Sequence, residues 1–172
     1  CKNCGLVFLN PRLNKGALKI FYESFYSKLL KGKNVSFESS VYSSINLSQE
    51  KGRLKEIQNL NPLAKKILDI GAGPGHFLSV AKKEGWKVYG QDVSSAAAKI
   101  AKKEFGLNVY AGSLESIPYP NEYFDVVTLH STLEHTTNPP EILEIARKKL
   151  KVGGLLVFSV PNIHSLNFAL AQ

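Results

Sequence analysis

Read for the period of its apolar positions, the chain falls into two regimes. From Leu18 to Leu30 apolar residues recur at 18, 21/22, 25/26 and 29/30, the spacing of one helix face. Residues 31–47 are polar, rich in Ser and Asn, and read as a linker or a mobile cover. Ser48 is placed to cap a helix with Leu54, Ile57 and Leu60 on its apolar face, ended by Asn61-Pro62. Downstream the pattern alternates: strand 66–70, helix 75–84, strand 87–92, helix 94–105, then strand 108–112 and a loop to about 122. Strand 124–130, helix 140–150 and strand 155–160 complete it, with Gly153-Gly154 as the left-handed cap of the last helix. KVYGQDV and FDVVTLH are apolar nearly throughout, as strands are when helices cover both sheet faces. Repeated strand–helix units predict right-handed crossovers and an α/β, doubly wound, mostly parallel sheet.

Composition narrows the partners. The chain has 172 residues, 44% of them apolar, enough for one α/β domain with appendages. No apolar run approaches the roughly 20 residues of a membrane span, so no membrane partner is expected. The net charge of +8 is carried almost wholly by lysine, in pairs such as Lys82-Lys83 and Lys102-Lys103. Such scattered pairs read as a solvated surface, not as the arginine-and-aromatic stripe of a nucleic-acid reader, so a nucleic-acid partner is not expected. Two cysteines three positions apart cannot make a disulfide framework and suit a reducing, cytoplasmic setting. Cys1-x-x-Cys4 is half of a zinc knuckle: zinc possible, site incomplete, with an inert remnant as the alternative. The chain has no methionine, and its start at Cys1 predicts a processed product, an excised piece or a partial reading frame.

The chemistry concentrates at residues 65–80, KKILDIGAGPGHFLSV, where a strand meets three alternating glycines and then a helix. In a parallel sheet, ligands bind beyond the carboxyl ends of the strands where strand order reverses, and the first strand–helix corner is that place. A P-loop is excluded, because the corner lacks a Gly-Lys-Ser/Thr ending to hold a terminal phosphate or magnesium. The dinucleotide pattern G-x-G-x-x-G fails too, since Gly71, Gly73 and Gly75 are followed by His76 and Pro74 offers no N–H. Asp92 ends the second strand about 20 residues after the first glycine, the spacing of a carboxylate that accepts from a ribose diol. The expected ligand is therefore a nucleoside without a pyrophosphate anchor.

ILDIGAGPGHF with VYGQDVS, continued by LESIPYPNEYFDVVTLHSTLEHTTNPPEILEIARKKLKVGGLLVFSVPN, resembles the class I S-adenosylmethionine-dependent methyltransferases. The resemblance covers about residues 64–162, and it is nearest to small-molecule enzymes of the ubiquinone-biosynthesis-like and sugar-modifying kind. It implies a Rossmann-like sheet and S-adenosyl-L-methionine as cofactor, with S-adenosyl-L-homocysteine as product. It further implies that Asp69 orients the loop and reaches the cofactor's ammonium, and that Gly71, Ala72, Gly73 and Gly75 bring backbone against it. Asp92 would take the ribose hydroxyls, Val93 pack on adenine, Ser113 and Leu114 border the adenine edge, and His130 line the methionine arm. Asp69 as a loop brace and Ser113 as an ordinary turn residue are the plain alternatives.

A hydroxyl acceptor needs a base near neutral pKa, and His135, after the fourth strand, is nominated, with Glu134 orienting its loop; a packing role for His135 is the alternative. Asn138-Pro139-Pro140 is similar to a motif of base-modifying methyltransferases but sits about eight residues late, and a helix cap with prolines in the first turn accounts for it. The resulting division is a half-knuckle remnant at 1–12, a helical cover at 13–62 and a methyltransferase domain at 63–172. Family members add two strands after the fifth, so the sheet is expected to be incomplete, with an open edge that offers a route to a homodimer. The reading is methyl transfer to a small-molecule acceptor, at oxygen or carbon. RNA- or protein-directed methylation and a cofactor-binding module without catalysis are the alternatives.

Overall fold

In a parallel sheet flanked by helices, successive residues of a strand must enter opposite layers, and Ile67 and Leu68 do so. Ile67 and Val126 belong to one buried cluster with Leu54, Ile57, Leu78 and Trp86, whereas Leu68 and Val127 join Ile70, Phe124, Leu129 and Ala146 on the other side. Each of these fully buried aliphatic side chains contributes about 1.5–3 kcal/mol relative to exposure. The computed structural model describes residues 2, 3, 5, 7, 11–31, 41–162 and 165, with the backbone alone for 31 and 41–46.

The five strands, β1 (Lys66–Ile70), β2 (Lys87–Asp92), β3 (Val109–Ala111), β4 (Phe124–His130) and β5 (Leu150–Ser159), form one sheet in the order β3-β2-β1-β4-β5. Every neighbouring pair is parallel. Helices α1 (Lys15–Lys31), α2 (Val41–Leu60), α3 (His76–Lys83), α4 (Ser95–Phe105) and α5 (Pro139–Lys149) complete the fold. The α/β doubly wound, parallel architecture is as expected, and the order of strands reverses between β1 and β4, which opens a crevice at their carboxyl ends. Among the described residues β3 and β5 are the sheet edges, and no helix is long and apolar enough to cross a membrane.

Three local expectations are corrected. The second helix begins at Val41, so Ser48 lies inside it and is not its cap; the polar stretch 41–47 continues the helix, and residues 32–40 lie outside the described set. Leu54 and Ile57 are buried, but Leu60, the last residue of the helix, is 71% exposed. Gly153-Gly154 do not cap α5. The chain enters β5 at Leu150, and the register steps from Phe124↔Leu150 to Val126↔Leu155, so the glycines sit in a bulge, with Gly153 at φ 75°. Asn138 does stand at the N-cap of α5, with the two prolines behind it, but its amide binds Glu141 (3.1 Å) and not the helix backbone.

Candidate functional site

The turn after β1 has a shape only glycine takes easily. Gly71, Gly73 and Gly75 have φ of 72°, 52° and 86°, all left-handed. They differ in what they face. A Cβ on Gly71 would meet Thr132 Oγ1 at 2.4 Å, and one on Gly73 would meet the Tyr26 hydroxyl at 3.0 Å. On Gly75 it would run into Leu107 at 2.7 Å, inside the layer between α4 and the sheet. Gly71 therefore borders the crevice, Gly73 lies behind it under Tyr26, and Gly75 serves close packing at the start of α3.

Hydrogen bonds fix this turn to the end of β2. Ala72 N–H donates to the Gln91 carbonyl (2.9 Å), and the Gln91 side chain accepts from Gly71 N–H (3.4 Å) while donating to the Gly112 carbonyl (2.7 Å). Asp92 is buried, and its two oxygens accept from Gly73 N–H and Ser94 N–H, both at 2.8 Å. Burial raises its pKa, and these two backbone donors hold it back. Each carboxylate oxygen has two lone pairs, so two acceptor sites remain for a ligand.

Asp69 lies one layer deeper. It is 4% exposed and accepts from the Thr128 hydroxyl at 2.7 Å. Burial pushes its carboxyl up to about 7, opposed by the Thr128 bond and reinforced by the charge of Glu50. His130, at the end of β4, packs edge-on against Phe77, with ring centroids 4.7 Å apart. Both its ring nitrogens are buried without a protein partner, and burial, then the Arg53 charge, lowers its pKa to about 4. A buried oxygen of Glu134 is likewise unpartnered.

Helix α1 closes the crevice. Tyr22 and Tyr26, one turn apart, project into it with rings 6.5 Å apart, and burial raises the pKa of both. Glu23 anchors the helix at the start of α4, accepting from Ser94 Oγ and Ser95 Oγ (2.8 Å each) and from Ala96 N–H (3.3 Å). Its charge there complements the positive end of α4, and these hydroxyl and amide donors hold its pKa low. The cavity, open on one side, is about 440 Å³. Of the residues singled out in the sequence, Gly71, Asp92, Val93, Ser113, Leu114 and His135 line it; Asp69, Ala72, Gly73, Gly75 and His130 stand behind that lining. Ser113 Oγ is bonded to Ser116 Oγ at 3.0 Å, so its hydroxyl also serves the turn. His135 Nε2 is 3.8 Å from Glu134 Oε1, and its ring meets Tyr22 edge-on at 6.0 Å.

The sequence reading missed Gln91, Thr128, Tyr22, Tyr26 and Glu23. A glutamine inside the apolar run KVYGQDV and a threonine inside FDVVTLH were the available signals for the first two. Tyr22 and Tyr26 showed only as part of a helical apolar face. Cys1 and Cys4 lie outside the described residues, among which no group of three or more His, Cys, Asp or Glu side chains is disposed to hold a metal.

A methyltransferase-domain profile matches residues 47–171, well over half of the chain. The chain belongs to the class I S-adenosylmethionine-dependent methyltransferase family. It is 31% identical over 139 residues to the ubiquinone biosynthesis O-methyltransferase of Pasteurella multocida, covering 64% of this chain and 57% of that one. Among solved structures it is similar to S-adenosylmethionine-dependent methyltransferases from Thermotoga maritima and Archaeoglobus fulgidus. Both are 28% identical with a TM-score of 0.58; the first match covers 70% of this chain and 55% of the other, the second 83% and 61%. This methyltransferase chain spans about half the length of the curated relatives it matches.

Proposed function

We propose that the chain transfers a methyl group from S-adenosylmethionine to a small-molecule acceptor, at oxygen or carbon. One observation carries the reading. A buried carboxylate, Asp92, stands at the strand-order reversal with acceptor capacity to spare, beside Gly71, whose backbone lines the cavity. The site fits the cofactor: a carboxylate for a ribose diol, apolar Val93 and Leu114 on the adenine side, and a 440 Å³ cleft. The cofactor supplies a methyl carbon already activated on sulfonium. The residues of the chain bind, orient and dry the site.

Asp92 takes the two ribose hydroxyls and Gly71 and Gly73 give the ligand backbone contact, while Ala72, held to Gln91, keeps the turn in place. Ser113 and Leu114 border the adenine edge. Asp69, bonded to Thr128, braces the corner from below and faces the cofactor's ammonium through it, and His130 backs the methionine arm. The 13–62 segment is the cover: α1 excludes water and brings Tyr22 and Tyr26 over the acceptor, which lets alignment and effective concentration supply most of the acceleration. His135 is the general base for a hydroxyl acceptor, and Glu134, whose Oε1 lies 3.8 Å from Nε2, orients the loop that carries it. The relatives named ubiquinone biosynthesis O-methyltransferases favour oxygen as the methylated atom.

Thermal unfolding with S-adenosylhomocysteine, NAD or ATP tests this, because a ligand that binds only the folded state raises its stability, by about 2.7 kcal/mol at 100 times Kd. A rise with S-adenosylhomocysteine alone supports the reading. A rise with NAD and none with S-adenosylhomocysteine refutes it.

A further inference from the structure

Helix α1 is apolar on both sides. Its inner face, Leu18, Tyr22 and Tyr26, closes the cavity, but Ile20, Phe21 and Phe25 point outward and are 72%, 53% and 50% exposed. A helix on the surface of a water-bathed protein normally turns polar residues outward, and one that is apolar all round is made to be covered. The outer rings are held in place: Phe21 packs edge-on against Tyr22 and Phe25 against Tyr26, at centroid distances of 5.2 and 5.1 Å.

The charge of the same helix selects the cover. KGALKIFYESFYSKLLK contains four lysines and one acid. That acid, Glu23, is turned inward onto the hydroxyls of Ser94 and Ser95, so the outer face presents no carboxylate. Among the described residues Lys19 and Lys28 make no ion pair, while Lys15 pairs with Glu115. An outward apolar face with Lys28 exposed beside it and no carboxylate, on a chain of net charge +8, is complementary to an anionic bilayer surface.

We infer that α1 docks this chain on an anionic lipid surface, with Ile20, Phe21 and Phe25 entering the headgroup–acyl boundary and the lysines meeting lipid phosphate. Surface docking needs no spanning helix. Because Lys15, Leu18, Lys19, Tyr22 and Tyr26 of the same helix line the cavity, docking sets the mouth of the site against the bilayer, where an acceptor carried in lipid would be presented. A nucleic acid would favour arginine and stacking tyrosines on the outside. Here the outer face holds no arginine, and the poly(U) competition below separates base stacking on Phe21 and Phe25 from lipid docking.

The test is co-sedimentation of the chain with vesicles of phosphatidylglycerol and phosphatidylcholine, against phosphatidylcholine alone, with light scattering and a poly(U) competition alongside. The expected result is binding to the anionic vesicles only, released by about 0.5 M salt as screening sets in. Partitioning should fall more than about tenfold in Ile20→Ser/Phe21→Ser/Phe25→Ser through lost apolar burial. It should fall by about tenfold or more in Lys28→Glu, at an exposed position, since one lysine near the surface is worth about fivefold and reversal counts twice. The S-adenosylhomocysteine thermal shift, read on the same samples, stays unchanged in Lys28→Glu, so that failure here and failure of the methyltransferase reading are distinguishable. Absence of vesicle binding, binding indifferent to both variants, a dimer that the triple variant dissolves, or displacement by poly(U) each overturns the inference.

Discussion

Asp69 and His130 flank the floor of the crevice with opposite debts to pH, and a single substitution separates them. The Asp69 carboxyl is raised from 3.8 to about 7 by burial. The folded state therefore favours its neutral form, and the stability this confers is full below pH 3.8 and is lost as pH rises towards 7. At 1.36 kcal/mol per pH unit the loss amounts to about 4 kcal/mol. His130 is lowered from 6.5 to about 4, so its neutral form is the one favoured in the fold. Its contribution is full above pH 6.5 and is lost as pH falls towards 4, by about 3 kcal/mol. Across that window the two slopes oppose each other, and the pair leaves wild-type stability nearly flat, to about 1 kcal/mol. Asp69→Asn keeps an acceptor for the Thr128 hydroxyl and removes only the titration. Urea unfolding in steps between pH 4 and 7 should then show the variant gaining stability relative to wild type by about 1 kcal/mol per pH unit. A stability difference that does not change with pH would refute the burial argument for Asp69.

Three further outcomes follow from the same geometry. Gly71→Ala forces a Cβ to 2.4 Å from Thr132 Oγ1 at φ 72°, so it should cost about 1–3 kcal/mol in urea unfolding and abolish the S-adenosylhomocysteine thermal shift. Asp92→Asn exchanges an ionised acceptor for an amide; calorimetric affinity for S-adenosylhomocysteine should fall by about tenfold to a hundredfold, since hydrogen bonds to a charged group are worth about 1.5–3 kcal/mol. His135→Ala should lower kcat with a phenolic acceptor by about a hundredfold to ten-thousandfold and leave S-adenosylhomocysteine affinity unchanged; an unchanged kcat removes His135 as the base.

What the sequence made legible was what depends on neighbours along the chain. Strands 66–70, 87–92 and 124–130 stand where the apolar runs placed them, because burial on both faces leaves an uninterrupted apolar segment. The left-handed turn at Gly71, Gly73 and Gly75 and the carboxylate at the end of β2 were equally local signals. The misses all involve partners distant in sequence. Gly75 looks like its two neighbours until Leu107 is brought beside it. The bulge at Gly153 depends on the pairing of β5 with β4. Glu23 read as an ordinary helical glutamate; only the fold sets it against Ser94 and Ser95, about 70 residues on, and so makes α1 a wall of the site.

The central claim is that the corner after β1 and the carboxylate of Asp92 were shaped together around an adenosyl amino acid. A co-crystal with S-adenosylhomocysteine examines it atom by atom. The account predicts ribose hydroxyls within about 3 Å of the Asp92 oxygens, adenine against Val93 and Leu114, and the sulfur beneath Tyr22 and Tyr26. A crevice still filled by Thr132 and the two tyrosines, or a ligand lodged elsewhere with Asp92 bound only to Gly73 and Ser94, would contradict it.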